Sequence, residues 1–353
     1  MCGVAMATVL FIGDPHIQTS NIPEVDIFIR KMVKLARDAP PDIIIIAGDL
    51  LHTHERLHTL ALNKACELVH KMRAIALTYV LVGNHDYIQN QQFLTENHWM
   101  NGLKEWDNTI IVDKVRKDTI NGEPFVFVPY VPPGRFMDAL NTLGEPWNDA
   151  ACIFAHQEFF GCKMGAIVSE EGDKWPLDGP YIVSGHIHSK QTPQSNIYYT
   201  GSAMQHAFGE SDQNIIARIT FQNRGHVVEE IDLELPRKKI VYMDVEDIDT
   251  YTVPVTKDKI KLTLKGDYDQ FKAVKKTVAY KRLVEQGVKV VFKPTNKLEP
   301  VPDDVAITTT SVDVNFRQVL DAIVKKEKNP YLMQAYEKIV HDTIIDVDDI
   351  LYV

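Results

Sequence analysis

The chain has 353 residues, 45% hydrophobic and 24% charged, with a net charge of −10. This is ordinary globular composition, and with no apolar run of about eighteen residues a membrane-spanning helix is excluded. The acidic balance argues against a protein that grips nucleic acid strongly by itself, since phosphate contacts need lysine and arginine. It leaves room for a nuclease whose bound cations cancel part of the local field.

The opening MCGVAMATVLFIGD is apolar, but too short and too uncharged for a secretion signal, and reads as the lead-in to a first strand. Cys2, Cys66, Cys152 and Cys162 show no CxxC spacing and read as free thiols of a reducing compartment, so an intracellular protein is expected. Strands are predicted over 8–14, 41–49 and 77–86, with helices over 24–38 and 56–74 between them. The 41–49 run, PDIIIIAGD, suits a strand covered on both faces. Further strands are expected at 109–115, 124–130, 151–156, 180–185, 196–200, 214–222 and 226–234, with hairpin turns at INGEP and QNRGH. Most of these later connections are short, which predicts antiparallel strands in a second sheet layer. The fold class is therefore α/β: a four-layer α/β/β/α sandwich over residues 1–235.

Beyond ELPRKKI the character changes. A lysine-rich β-α-β unit is expected within 236–296, with strands at 259–266 and 288–294 and one helix at 267–286. A linker follows over 297–310 and a helical segment over 311–353, with apolar rows at helical spacing in 314–328 and 331–347.

The strand ends carry the chemistry. The first strand finishes in Asp14 and His16, the second in Asp49, and the third in Asn84, His85 and Asp86. Two later strands finish in His156 and in His186, with His188 two residues beyond. Ligands in open α/β sheets bind outside the carboxyl ends of strands, and chance rarely places metal-capable residues at five such ends. Imidazole, carboxylate and carboxamide donors suit manganese, iron or zinc. The set is too large for one tetrahedral ion and sufficient for two divalent ions sharing Asp49. Such a pair can hold a phosphate and support in-line displacement. His85 cannot easily face the same ion as Asn84, so it is assigned the proton donor to the leaving oxygen. Asp86 is expected to orient its ring, and His52 to lie near it. His54 and His58 read as surface histidines. His206 is ambiguous, with a structural role favoured, and His70, His98, His226 and His341 receive no role.

The ordered set D-x-H, GD, GNHD, H and GHxH resembles the calcineurin-like metallophosphoesterase superfamily. GDLLHTHERLH lacks the GDxxDRG arginine of the phosphatase branch. It is similar instead to the GDLFH pattern of the recombination and double-strand-break-repair nucleases. YYTGSAMQHAFGESD resembles the segment that follows GHxH in that family, with Ala203 where proline is usual. The lysine-rich unit is similar to that family's DNA-capping domain, and the terminal helices to its docking element for a coiled-coil ABC-type ATPase. The resemblance implies a manganese-dependent DNA nuclease, with exonuclease action on duplex ends and endonuclease action on single strands or hairpins. It also implies a homodimer bound to two ATPase subunits. The alternatives are a stand-alone phosphodiesterase acting on nucleotides or small phosphodiesters, and a metal-bearing scaffold without catalysis.

Overall fold

The computed structural model describes residues 6–54, 56–223 and 225–295, and in the C-terminal segment 324–326, 331–333 and 336. The expected linker and most of the docking helices lie outside the described residues. In chain order, β1 (Met6–Ile12), β2 (Ile43–Ile46), β3 (Leu77–Leu81) and β4 (Thr109–Val112) open a first sheet. A second sheet takes β5 (Arg116–Ile120), β6 (Glu123–Val128) and β7 (Cys152–His156). A short hairpin, β8 (Lys163–Met164) with β9 (Ile167–Val168), follows β7. The second sheet is then completed by β10 (Ile182–Gly185), β11 (Gln191–Gln194) and β12 (Ile197–Tyr199). Finally β13 (Ile216–Gln222) and β14 (Gly225–Ile231) return to the first sheet, whose order is β14-β13-β1-β2-β3-β4.

Helices α1 (Ile22–Asp38) and α2 (Thr59–Arg73) cover the outer face of the first sheet. In α1 the buried Val25, Phe28, Ile29, Met32 and Ala36 follow helical spacing and form the stripe that meets the strands. The four isoleucines of β2 are all buried, because one sheet face meets the helices and the other meets the second sheet. The inter-sheet core is aromatic: Tyr79 stacks on Phe127 at 4.0 Å, and Phe154 packs against Phe11, Phe125 and Phe221. The short α3 (Phe136–Asn141) closes the fourth layer over β6 and β7. Asn121-Gly122 forms the β5–β6 turn with both residues left-handed, which matches the twist of a two-residue hairpin.

Two expectations are corrected. The second sheet is not antiparallel: β6, β7, β10 and β12 run parallel, and only its edge strands β5 and β11 are antiparallel. The hairpin β13–β14 joins the first sheet, not the second, by pairing β13 with β1. The β6–β7 and β7–β10 connections are crossovers that carry α3 and the β8–β9 hairpin, which gives the length a parallel return requires.

The lysine-rich unit holds one strand more than expected, ahead of the two read from the sequence. β15 (Lys238–Asp244), β16 (Lys259–Gly266) and β17 (Lys289–Pro294) form a parallel sheet. The single helix expected over 267–286 is two, α4 (Tyr268–Val274) and α5 (Val278–Glu285), because Thr277 caps a new start. Its own core forms from Ile260, Leu262 and Leu264 against Phe271, Val274 and Leu283. An ion pair from Lys259 to Glu24 on α1 ties it to the sandwich. Among the described residues no helix is long and apolar enough to cross a membrane.

Candidate metal centre

The loops after β1, β2, β3, β7 and β10 meet at the carboxyl rim of the sandwich. Four of the expected ligands turn there through left-handed backbone: Asp14 (φ 36°), His16 (42°), Asp49 (48°) and His186 (78°). Such conformations strain ordinary residues and persist where the surroundings over-determine them. The approach is close enough that a Cβ at Gly83 would stand 2.2 Å from Asp49 Oδ1.

All seven expected ligands converge. His16 Nε2 lies 2.9 Å from His188 Nε2 and 3.4 Å from Asp49 Oδ2. Asn84 Oδ1 is 3.0 Å from His156 Nε2 and 2.9 Å from His186 Nδ1. His156 Nε2 is in turn 3.5 Å from Asp49 Oδ1. Asp49 thus turns one oxygen to each group. Asp14 Oδ1 accepts from the His186 N–H at 2.8 Å and stands 3.6 Å from His156 Nδ1.

The electrostatics fit a cation. Burial, reinforced by the Asp49 charge, pushes Asp14 up to about 6. Burial pushes His186 down to about 3, helped by the charge on His156. His156 is drawn the other way: burial disfavours its charged form, but Asp49 and Asp14 outweigh that and raise it to about 9. Asp14 Oδ2 and His16 Nδ1 are buried with no hydrogen-bond partner. Buried acceptors without a partner are costly, and an anionic oxygen aimed into a cluster of imidazoles and a second carboxylate is what a divalent ion compensates. His16, Asp49 and His85 could hold one metal ion, and Asp49, His156 and His186 another.

The residues assigned to proton transfer arrange themselves differently from expectation. His85 does lie at the centre, its N–H donating to Asp49 Oδ1 at 2.8 Å. Asp86 does not orient it. The His85 ring donates from Nδ1 to the His52 carbonyl at 2.7 Å. Asp86 is buried beneath the loop, where it accepts from the Gly83 N–H at 3.1 Å and from Trp99 Nε1 at 2.9 Å. It shapes the turn that presents Asn84 and His85. The His52 ring lies 5.3 Å from His16 and 5.8 Å from His85, centroid to centroid, and its backbone carbonyl does the orienting.

Three neighbours receive no part in the centre from the sequence: His54 reads there as a surface histidine, which the structure corrects, His206 as structural, and Glu210 is not singled out. His54 stacks on His85 at 4.6 Å. His206 donates from Nε2 to the Asp14 carbonyl at 2.9 Å, its ring edge-on to His16. Glu210 places Oε1 3.6 Å from His188 Nδ1. The AMQHAFGES run was the available signal for the last two, but a loop without periodicity does not say which way its side chains face.

A buried oxygen and nitrogen donor set at the strand ends of an α/β/β/α sandwich defines a metal-dependent hydrolase. The calcineurin-like phosphoesterase profile matches residues 7–190. The 078R protein of Invertebrate iridescent virus 3, named only as a candidate phosphoesterase, is 47% identical over 90% of this chain and 91% of its own length. The similarly named 244L of Invertebrate iridescent virus 6 is 50% identical over 76% of this chain and 97% of its own. Among solved structures, a purple acid phosphatase from yellow lupin (Lupinus luteus) seeds shares 9% identity over 64% of this chain and 51% of its own, with a TM-score of 0.43. The chain belongs to the calcineurin-like phosphoesterase family, and its chemistry is phosphoester hydrolysis.

Proposed function

We propose that the protein is a two-metal DNA nuclease acting on duplex ends and on single strands or hairpins. Asp14, His16, Asp49 and His188 would hold one ion, and Asp49, Asn84, His156 and His186 the other. Divalent ions there, manganese as the resemblance implies, would supply Lewis-acid polarisation of a phosphoryl oxygen and acidify water. The protein's own part is to orient and to move a proton. The His52 carbonyl fixes the His85 ring by its Nδ1–H and turns Nε2 to the site; with a second proton on Nε2, the imidazolium would give that proton to the departing sugar oxygen and return to the neutral Nδ1–H ring.

The observation that carries the DNA reading is the second face of the three-stranded sheet. Side chains alternate across a strand. One face packs Ile260, Leu262 and Leu264 into the small core, so the other presents Lys261 and Lys265, flanked on β17 by Lys289 and Lys293. Lys265 lies over exposed Tyr242, and Lys261 over Phe208 in the loop that carries His206 and Glu210. A lysine face with interleaved aromatics beside a metal rim suits a phosphodiester backbone. The resemblance adds a coiled-coil ABC-type ATPase and a homodimer as partners, which copurification with the ATPase encoded nearby would test.

Hydrolysis of end-labelled linear duplex DNA, compared with an aryl phosphodiester in manganese, tests the reading. The expected result is DNA cleavage with kcat/KM well above that for the aryl ester, weakened when Lys261, Lys265 and Lys293 become glutamate. Equal or better use of the aryl ester, unmoved by those changes, favours the small-phosphodiester alternative.

A further inference from the structure

The imidazoles around the centre are not held alike. His156 turns Nδ1 to the Ala47 carbonyl at 2.6 Å, His85 turns Nδ1 to the His52 carbonyl, and His206 turns Nε2 to the Asp14 carbonyl. Each of these nitrogens is hydrogen-bonded to a neutral backbone oxygen, and His156 Nδ1 also stands 3.6 Å from Oδ1 of Asp14, itself a candidate ligand. His188 differs. Its Nε2 faces His16, and its Nδ1 stands 3.6 Å from Glu210 Oε1. That separation is longer than a formed hydrogen bond, but it leaves the imidazole beside a full charge in a partly buried setting.

Glu210 is itself fixed. Its Oε2 accepts from the His206 and Ala207 N–H groups at 2.9 and 2.8 Å. The same loop is gripped from the small domain, where Lys238 Nζ donates to the Gln205 and His206 carbonyls and the Lys238 N–H donates to Gln205 Oε1 at 2.6 Å. The carboxylate is therefore held from the cap side and aimed at the outer nitrogen of a candidate ligand.

We propose that Glu210 is a positioning residue that orients the His188 ring and raises the basicity of its Nε2 toward a divalent ion. A carboxylate behind a ligating histidine fixes the tautomer and strengthens the ligand, and its loss commonly weakens metal affinity about 10–100-fold. The proposal rests on the metal-centre reading but not on DNA as the substrate. It makes the two ion sites unequal: in one, the outer nitrogen of His156 is hydrogen-bonded to the Ala47 carbonyl, and in the other, that of His188 faces a carboxylate that is not itself a candidate ligand.

The test is a titration of the full chain with manganese alone, followed by calorimetry and electron paramagnetic resonance, on the native protein, Glu210→Gln and Glu210→Ala. The glutamine keeps an oxygen for the two backbone amides but sets an NH₂ donor against the His188 Nδ1–H. In both variants one of two sites is expected to weaken by about 10–100-fold while the other stays within about twofold. Metal-free melting of Glu210→Gln is expected to stay unchanged, which separates positioning from folding. Should Glu210→Ala lose metal-free stability, Glu210→Gln decides. Two sites with native dissociation constants in Glu210→Gln would overturn the proposal while leaving the metal centre intact. A native chain that binds no manganese would remove the metal centre itself, and the role of Glu210 with it.

Discussion

Asp49 is the position where a single change should cost most, because its two oxygens serve two groups: Oδ2 lies 3.4 Å from His16 Nε2 and Oδ1 lies 3.5 Å from His156 Nε2. An ion that binds only the folded chain stabilises it by about 2.7 kcal/mol at a free concentration 100 times its dissociation constant. Two ions give about 5 kcal/mol, and for a unit of this size that raises the melting temperature by roughly 10–20 °C. Asp49→Asn keeps the volume and an oxygen for the His85 N–H, but removes the charge from both groups. The expected manganese-induced shift then falls below about 5 °C. Asn84→Ala touches only the group around His156 and His186 and should keep about half the native shift. The assay is scanning calorimetry in manganese against chelator, at matched ionic strength. If Asp49→Asn retained the full native shift, the shared carboxylate would be wrong and the two groups would not form one centre.

Other changes probe separate steps. His85→Asn, judged by steady-state kinetics, is expected to lower kcat by about 10²–10⁴ while manganese stoichiometry and KM hold; a fall in metal binding instead would make His85 a ligand, as its position beside His16 and Asp49 also allows. Reversing Lys261, Lys265 and Lys293 together should flatten the salt dependence of DNA binding by about two to three units of log–log slope, and an unchanged slope would place the backbone elsewhere. Asp113 offers a test away from the centre. Burial pushes it up, but His98 Nε2 at 3.2 Å and Lys104 Nζ at 2.6 Å outweigh that and hold it at about 2, below the usual 3.8. A carboxyl depressed in the folded state contributes stability above its unfolded value and loses it as pH falls through the folded one. With Lys104 partly exposed, Asp113→Asn should cost about 1–2 kcal/mol at pH 7. Urea unfolding should show that difference shrinking from pH 4 toward pH 2, and a gap that persists there would assign the effect to packing.

Much of the centre was legible because it lies where local rules speak loudly. An apolar run that stops at Gly-Asp, or at Gly-Asn-His-Asp, marks a strand end, and parallel strands in one sheet bring their carboxyl ends to one rim. Strand direction was less legible. Side-chain period does not record which way a neighbour runs, and the short connections that suggest antiparallel pairing for β7, β10 and β12 join strands that run parallel. β15 was missed because its alternation sits among lysines and an aspartate, and only its pairing to β16 makes it a strand. Asp86 was misplaced for a related reason. Its partner Trp99 lies thirteen residues on, beyond what adjacency to His85 could suggest.

The backbone strain explains why the ligands could be named while their supporting shell could not. Asp14, His16, Asp49 and His186 sit at positive φ, a conformation that costs about 1–3 kcal/mol per residue unless the surroundings impose it. Those surroundings come from distant segments: the Asp49 carbonyl takes the His16 N–H at 2.9 Å, and Asp14 Oδ1 takes that of His186 across 172 positions. Ligand types are written in the motifs. The contacts that bend them into place, including the loop holding Glu210, are written in tertiary pairings that only the folded chain discloses. Replacing a supporting residue should therefore loosen the centre without removing a donor, and metal affinity is the sensitive readout for it, ahead of turnover or melting.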